Sequence, residues 1–111
     1  MKRLHLVLKK QWFDMIASGE KTEEYRNCTE YWAKRVGYEL RLMEEVIYEN
    51  KYELVPTKKS KSFDCVCFHC GYTNITETRQ FKGIRIGTGK QKWGAEKGKV
   101  YFVIKLGERI E

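Results

Sequence analysis

Leucine recurs at positions 4, 6 and 8, with His5 and Val7 between them, so the chain opens on a period of two. A strand that alternates in this way has one apolar face to bury and must lie against a core. The period then changes at once. Trp12, Phe13, Ile16 and Ala17 share a helical face over Lys10 to Ser18, and Gly19 follows as a residue that tolerates the left-handed turn at a helix end. Lys21 to Arg26 returns to an extended pattern. Thr29 is placed to cap a second short helix carrying Tyr31, Trp32 and Val36, with Lys34 and Arg35 at its negative end and Gly37 beyond it.

The rest of the chain continues this α+β order. Leu40, Met43, Val46 and Ile47 keep helical spacing, which predicts a third helix from Glu39 to Tyr48. Pro56 and the polar run Thr57 to Ser62 predict an exposed loop. Strands are expected at about Phe63 to Phe68, Gln80 to Ile86 and Val100 to Leu106, separated by glycine-bearing turns. Several strands with helices inserted early fit a closed or nearly closed barrel decorated by helices. At 111 residues there is room for one domain, and 41% hydrophobic with 14% aromatic residues supply apolar surface for one core. No apolar run approaches the roughly 20 residues needed to cross a bilayer, and the expectation is a cytoplasmic protein.

Charge is uneven along the chain. There are 22 Lys and Arg against 15 Asp and Glu, a net +7. Much of the excess lies between 79 and 99, where Arg79, Lys82, Arg85, Lys90, Lys92, Lys97 and Lys99 face Glu96 as the only acid. Phe81, Trp93 and Tyr101 interleave or flank this stretch with rings. Such a segment either attracts phosphates and stacks bases or is a solvated surface over core aromatics.

Four cysteines raise a metal or disulfide reading. A reducing cytoplasm argues against disulfides. In the cluster Cys65, Cys67, His69 and Cys70, only Cys67 and Cys70 have the two-residue gap common in zinc sites, and no second pair follows. The same segment alternates as a strand, with Cys65, Cys67 and His69 on one face and Val66 and Phe68 on the other. Strand cysteines are therefore preferred and no metal site is assigned. Zinc would need Cys28 or His5 to complete its shell.

The most specific segment is Gly19-x-Lys21-x-x-Glu24-x-Arg26. In an extended chain Glu24 and Arg26 share one face, so Tyr25 can join a core while the charged pair faces a cleft. With Lys21, the set can hold phosphate, hydrogen-bond a base edge or act as a tuned acid and base; alternatively it is an ordinary strand-face ion pair.

This spacing resembles the signature of the activating-signal-cointegrator homology, or ASCH, domain. The resemblance extends to the opening strand and helix, to Gly87-Thr-Gly-Lys-Gln-Lys-Trp-Gly-Ala, and to Tyr101-Phe-Val-Ile-Lys-Leu-Gly. Phe68-His-Cys-Gly-Tyr72 is similar to a Phe-x-Asn-Gly-Tyr stretch of small bacterial and phage members, with Cys70 in place of the Asn. Residues 40–62 stand outside it as an insertion. The resemblance implies a PUA-like small β-barrel of about five to six strands flanked by two or three short helices, forming a single domain over 1–111. It also implies a cleft holding Gly19, Lys21, Glu24 and Arg26, with Tyr72 and Trp93 as the aromatic ligand contacts.

Three functions follow from it. In the first, the domain binds RNA or a modified nucleoside, with the basic face at 79–99 holding the backbone. In the second, it is a single-strand ribonuclease, with Lys21, Glu24 and Arg26 as catalytic groups and a divalent metal as its cofactor; otherwise no cofactor is expected. In the third, it removes the acetyl group of N4-acetylcytidine. Relatives with that activity use a Lys matching Lys21 and a Thr at the position of Glu24, and here that hydroxyl is missing. The ranking is binding, then cleavage, then deacylation.

Overall fold

The computed structural model describes residues 2–32, 35, 36, 53, 54 and 63–110, with the backbone alone at 53 and 54. The expected third helix and the loop at 57–62 lie outside the described residues. The strands are β1 (Arg3–Leu8), β2 (Glu23–Asn27), β3 (Glu53–Leu54), β4 (Cys65–Cys70), β5 (Thr76–Thr88) and β6 (Val100–Arg109), and helix α1 (Lys10–Ala17) follows β1. Helical backbone recurs at 30–32 and 35–36, where Thr29 Oγ1 accepts from the Trp32 N–H at 3.3 Å. This is the N-cap that the sequence announces. No helix among the described residues is long and apolar enough to cross a membrane.

The fold is α+β, with a curled, half-barrel sheet ordered β1-β4-β5-β6-β2 and β3 added on β5. β1 and β4 run parallel, and the other pairs are antiparallel. β5 is long enough to serve two neighbours on one edge. Its first half pairs with β4 and Ile84–Arg85 pair with β3, while β6 lies along the other edge. Two register shifts between β5 and β6 fall at Arg79/Phe81 and Phe81/Gly83, and bulges of this kind bend a sheet toward closure.

Alternation decides which face is core. Leu4, Leu6 and Leu8 meet Val66, Phe68 and Cys70 in register, and with Phe13, Ile16, Phe81, Ile84, Phe102 and Ile104 they form the main cluster. The opposite face of β6 is buried as well, since Tyr101 and Val103 pack with Ala95 and Tyr25. The first half of β6 is thus covered on both sides.

β5 begins at Thr76, four residues before the sequence pattern suggests, because the polar run Thr76-Glu-Thr-Arg79 hides a compensated acid. Glu77 is 1% exposed. Its carboxylate meets Arg79 and Arg109, each at 2.9 Å.

Candidate functional site

The sheet's path ends at β1 and β2, and a side chain spans the gap between them: Arg26 Nη2 donates to the Val7 carbonyl at 3.3 Å. What brings Arg26 there starts at Gly19. That residue adopts φ +88, where a side chain would be strained, and the turn closes with Lys21 N donating to the Met15 carbonyl at 2.9 Å. Lys21 therefore turns inward at the entry to β2.

Lys21, Glu24 and Arg26 meet in one chain of contacts. Lys21 Nζ donates to Glu24 Oε1 and to the Glu23 carbonyl, both at 2.7 Å. Glu24 Oε2 accepts from Arg26 Nη2 at 2.8 Å, and Oε1 also accepts from the Tyr25 N–H at 3.1 Å. The Arg26 guanidinium lies 5.0 Å from the Trp32 ring centre. The Lys21 side chain is wholly shielded and that of Glu24 is 8% exposed, so this is a buried network, not a solvated strand-face pair. Burial pushes the Lys21 ammonium below its ordinary range, against the opposing pull of Glu24. Desolvation outweighs the neighbouring carboxylate because no part of the lysine side chain is exposed.

A cavity of about 300 Å³ lies beside the network. Its walls are Glu24, Tyr25 and Arg26 from β2, Val7 to Lys9 and Trp12 from the opening segment, and Trp93, Gly94 and Tyr101. Lys21 is not itself a wall; its Nζ lies behind Glu24 and 5.0 Å from the Tyr25 ring centre. Gly94 adopts φ +101, and an added Cβ would sit 3.0 Å from the Trp12 ring, so the Trp12 ring lies this close to the backbone after Trp93 only because residue 94 has no side chain. Arg26 Nε and Trp93 Nε1 are both buried without a hydrogen-bond partner among the described residues.

Opposite Glu24, Tyr25 closes the back of the site. Its hydroxyl donates to Glu23 Oε1 at 2.9 Å and accepts from the Lys90 N–H at 3.0 Å. Burial pushes that hydroxyl far above its ordinary range.

The remaining sequence-selected residues divide. Lys90 Nζ and Lys92 Nζ stand 4.4 and 5.2 Å from the Trp93 ring centre, and Lys99 Nζ stands 5.2 Å from that of Tyr101. Lys82 and Lys97 are exposed. Arg79 and Arg85 turn to internal partners: Arg79 donates to the Ile16 and Ala17 carbonyls at the end of α1, and Arg85 pairs with Glu23 at 3.3 Å. Tyr72 is fully exposed beside the β4–β5 turn and is not a cavity wall. Tyr101, one of the rings that the sequence offers for stacking, is a wall, and so is Trp12, which the sequence did not single out; its signal was only aromatic identity on a helical face.

All four cysteines are free. Cys67 and Cys70 cannot chelate through their two-residue gap, because a three-residue step along a strand reverses the face. Cys70 belongs to the main core. No family model, curated protein or solved structure matches the chain.

Proposed function

We propose that this chain is an RNA- or nucleoside-binding domain of the ASCH type, on a PUA-like barrel, acting in the cytoplasm with the cavity at Glu24 and Arg26 as its binding site. One observation carries the reading. Two buried donors, Arg26 Nε and Trp93 Nε1, belong to the walls of one small aromatic cavity and have no partner among the described residues. Buried donors are seldom left unmade, and an acceptor-rich ligand would satisfy both once small side-chain shifts turn them to the cavity surface.

Size and surroundings narrow the ligand. A cavity of about 300 Å³ is at the lower end of small-molecule sites and suits one base or nucleoside. Its indole and phenol rings offer stacking faces, and the Glu24–Arg26 pair offers an acceptor and donors for a base edge. Lys90, Lys92 and Lys99, around the rings of Trp93 and Tyr101, suit a flanking phosphate. A single nucleotide of a single strand, held in the cavity with its backbone on these lysines, uses all of these features.

Hydrolysis is the second reading, favoured by the lowered proton affinity of Lys21. It ranks below binding because Nζ is enclosed by Glu23 and Glu24, with no exposed surface. The test is competition: a labelled single-stranded RNA is bound at low salt and displaced with free nucleosides, N4-acetylcytidine among them. Binding lost in Trp93→Ala and displaced by a nucleoside supports the assignment. RNA binding that is absent at low salt, together with no nucleoside binding, overturns it.

A further inference from the structure

The strongest unassigned chemistry lies on the other face of β1 and β4. Parallel pairing sets His5 beside Cys67, and the period of two carries His69 onto the same face. His5 Nδ1 and His69 Nε2 are 3.0 Å apart. Their rings are tilted by 39° with centroids 5.2 Å apart, so they meet at their nitrogen edges and not by stacking. The nitrogens and Cys67 Sγ all lie within 4.8 Å of one another.

We propose that His5, Cys67 and His69 form a binding site for a borderline-soft divalent metal of the zinc class. Two imidazole nitrogens and a thiolate are the donor set that zinc prefers, whereas magnesium and calcium require oxygen ligands. Zinc bonds of 2.0–2.1 Å to nitrogen and about 2.3 Å to sulfur put tetrahedral donors roughly 3.3–3.6 Å apart. The three donors reach that spacing by side-chain adjustments on the order of 1 Å, with the strand register unchanged. Binding replaces the thiol proton of Cys67 by the metal and releases that proton to solvent, while the imidazole that donates in the His5–His69 hydrogen bond changes tautomer, moving its proton to its other ring nitrogen, so that both rings bind through lone pairs. His5 is exposed and His69 partly so, which leaves a fourth position to water.

The site differs from the one anticipated for zinc in the sequence, since Cys65, Cys70 and Cys28 take no part. It would clasp two strands whose histidines are 64 residues apart in the chain. It is independent of the nucleic-acid reading and uses none of the cavity residues.

The test is titration of the full chain with Co²⁺ under reducing conditions, following the thiolate-to-cobalt charge-transfer band, then displacement by Zn²⁺. One equivalent is expected to bind, and Mg²⁺ in excess is expected not to compete. Cys67→Ser should abolish the band. His5→Asn, a change at an exposed position, should weaken binding at least roughly tenfold. Zn²⁺ at a hundredfold excess over its dissociation constant should raise the thermal midpoint by on the order of 10 °C in the wild type and not in Cys67→Ser. A wild type with no band, a band that persists in Cys67→Ser, or one lost in Cys28→Ser overturns the proposal.

Discussion

Lys21 Nζ lies 2.7 Å from Glu24 Oε1 with no part of the lysine side chain exposed. A pair of this kind is costly to break from one side, because the surviving charge stays buried. As the ordinary strand-face ion pair that the spacing allows, these charges would be dispensable for folding. Their burial reverses that expectation. Lys21→Ala should destabilise the domain by about 3 kcal/mol, a fall of at least roughly 12 °C in the thermal midpoint. An unchanged midpoint would show the network to be solvated.

Glu77 makes a second such prediction, far from the cavity. Its carboxylate, 1% exposed, faces Arg79 and Arg109, and Arg79 in turn donates to the end of α1. Glu77→Ala leaves the largely shielded Arg79 charge without its partner and should cost about 3 kcal/mol or more, measured by urea denaturation. Binding of ligand by the remaining folded protein should be unchanged. Full stability in the variant would mean that Arg79 finds other partners.

The contrast between these two acids and the first strand explains what could be read in advance. β1, α1 and the turn at Gly19 were legible because each rests on local periodicity and one backbone requirement. The start of β5 was not, since Glu77 is compensated inside the sheet by Arg79 together with Arg109, a residue 32 positions later whose proximity comes from the β5–β6 register. The grouping of Lys21, Glu24 and Arg26 was suggested by spacing, but their burial depends on Tyr25, Trp32 and the closing turn. Trp12 looked like an ordinary residue of a helical face; it becomes a cavity wall because Gly94 arrives against it from the far end of the chain.

The alkaline limb of stability should report on Tyr25. Burial raises its hydroxyl above the ordinary 10.0, so above that pH the unfolded chain ionises while the folded one keeps its proton. The stabilisation is complete below about pH 10 and is lost as pH rises beyond it. Lys21 acts in the opposite sense. Its folded form gives up the proton below the ordinary 10.5, so its contribution rises with pH up to that value. Tyr25→Phe separates the two: the advantage of wild type over the variant should be constant to about pH 9 and shrink above 10. A constant difference through pH 11 would count against a buried, protonated Tyr25.

Salt dependence tests which lysines hold a backbone. If five or six phosphates are contacted, log affinity for single-stranded RNA should fall with log salt at roughly −0.7 per contact. Replacing Lys90, Lys92 and Lys97 together should weaken binding to all sequences alike and make the slope shallower by about 2. Arg85→Gln should leave the slope unaltered, because that guanidinium is already paired with Glu23. A slope indifferent to the lysine replacements would move the backbone to another face.

Catalysis is separated from binding by what Lys21 can reach. A lysine with lowered proton affinity is a better base near neutrality, but here its Nζ is held by the Glu23 carbonyl and the Glu24 carboxylate behind the cavity wall. If deacylation of N4-acetylcytidine used a nucleophile at position 24, as the resemblance to ASCH relatives would imply, Glu24 would have to supply it, and its carboxylate already contacts Lys21 and Arg26. The protein should therefore bind without turnover. Incubation with N4-acetylcytidine and with unmodified single-stranded RNA, with and without Mg²⁺, should give neither cytidine nor fragments over hours, while RNA binding persists. Efficient cytidine release would place the deacylase first. Metal-dependent fragmentation that disappears in Arg26→Gln, with the thermal midpoint monitored to exclude unfolding, would instead assign the cavity to a ribonuclease.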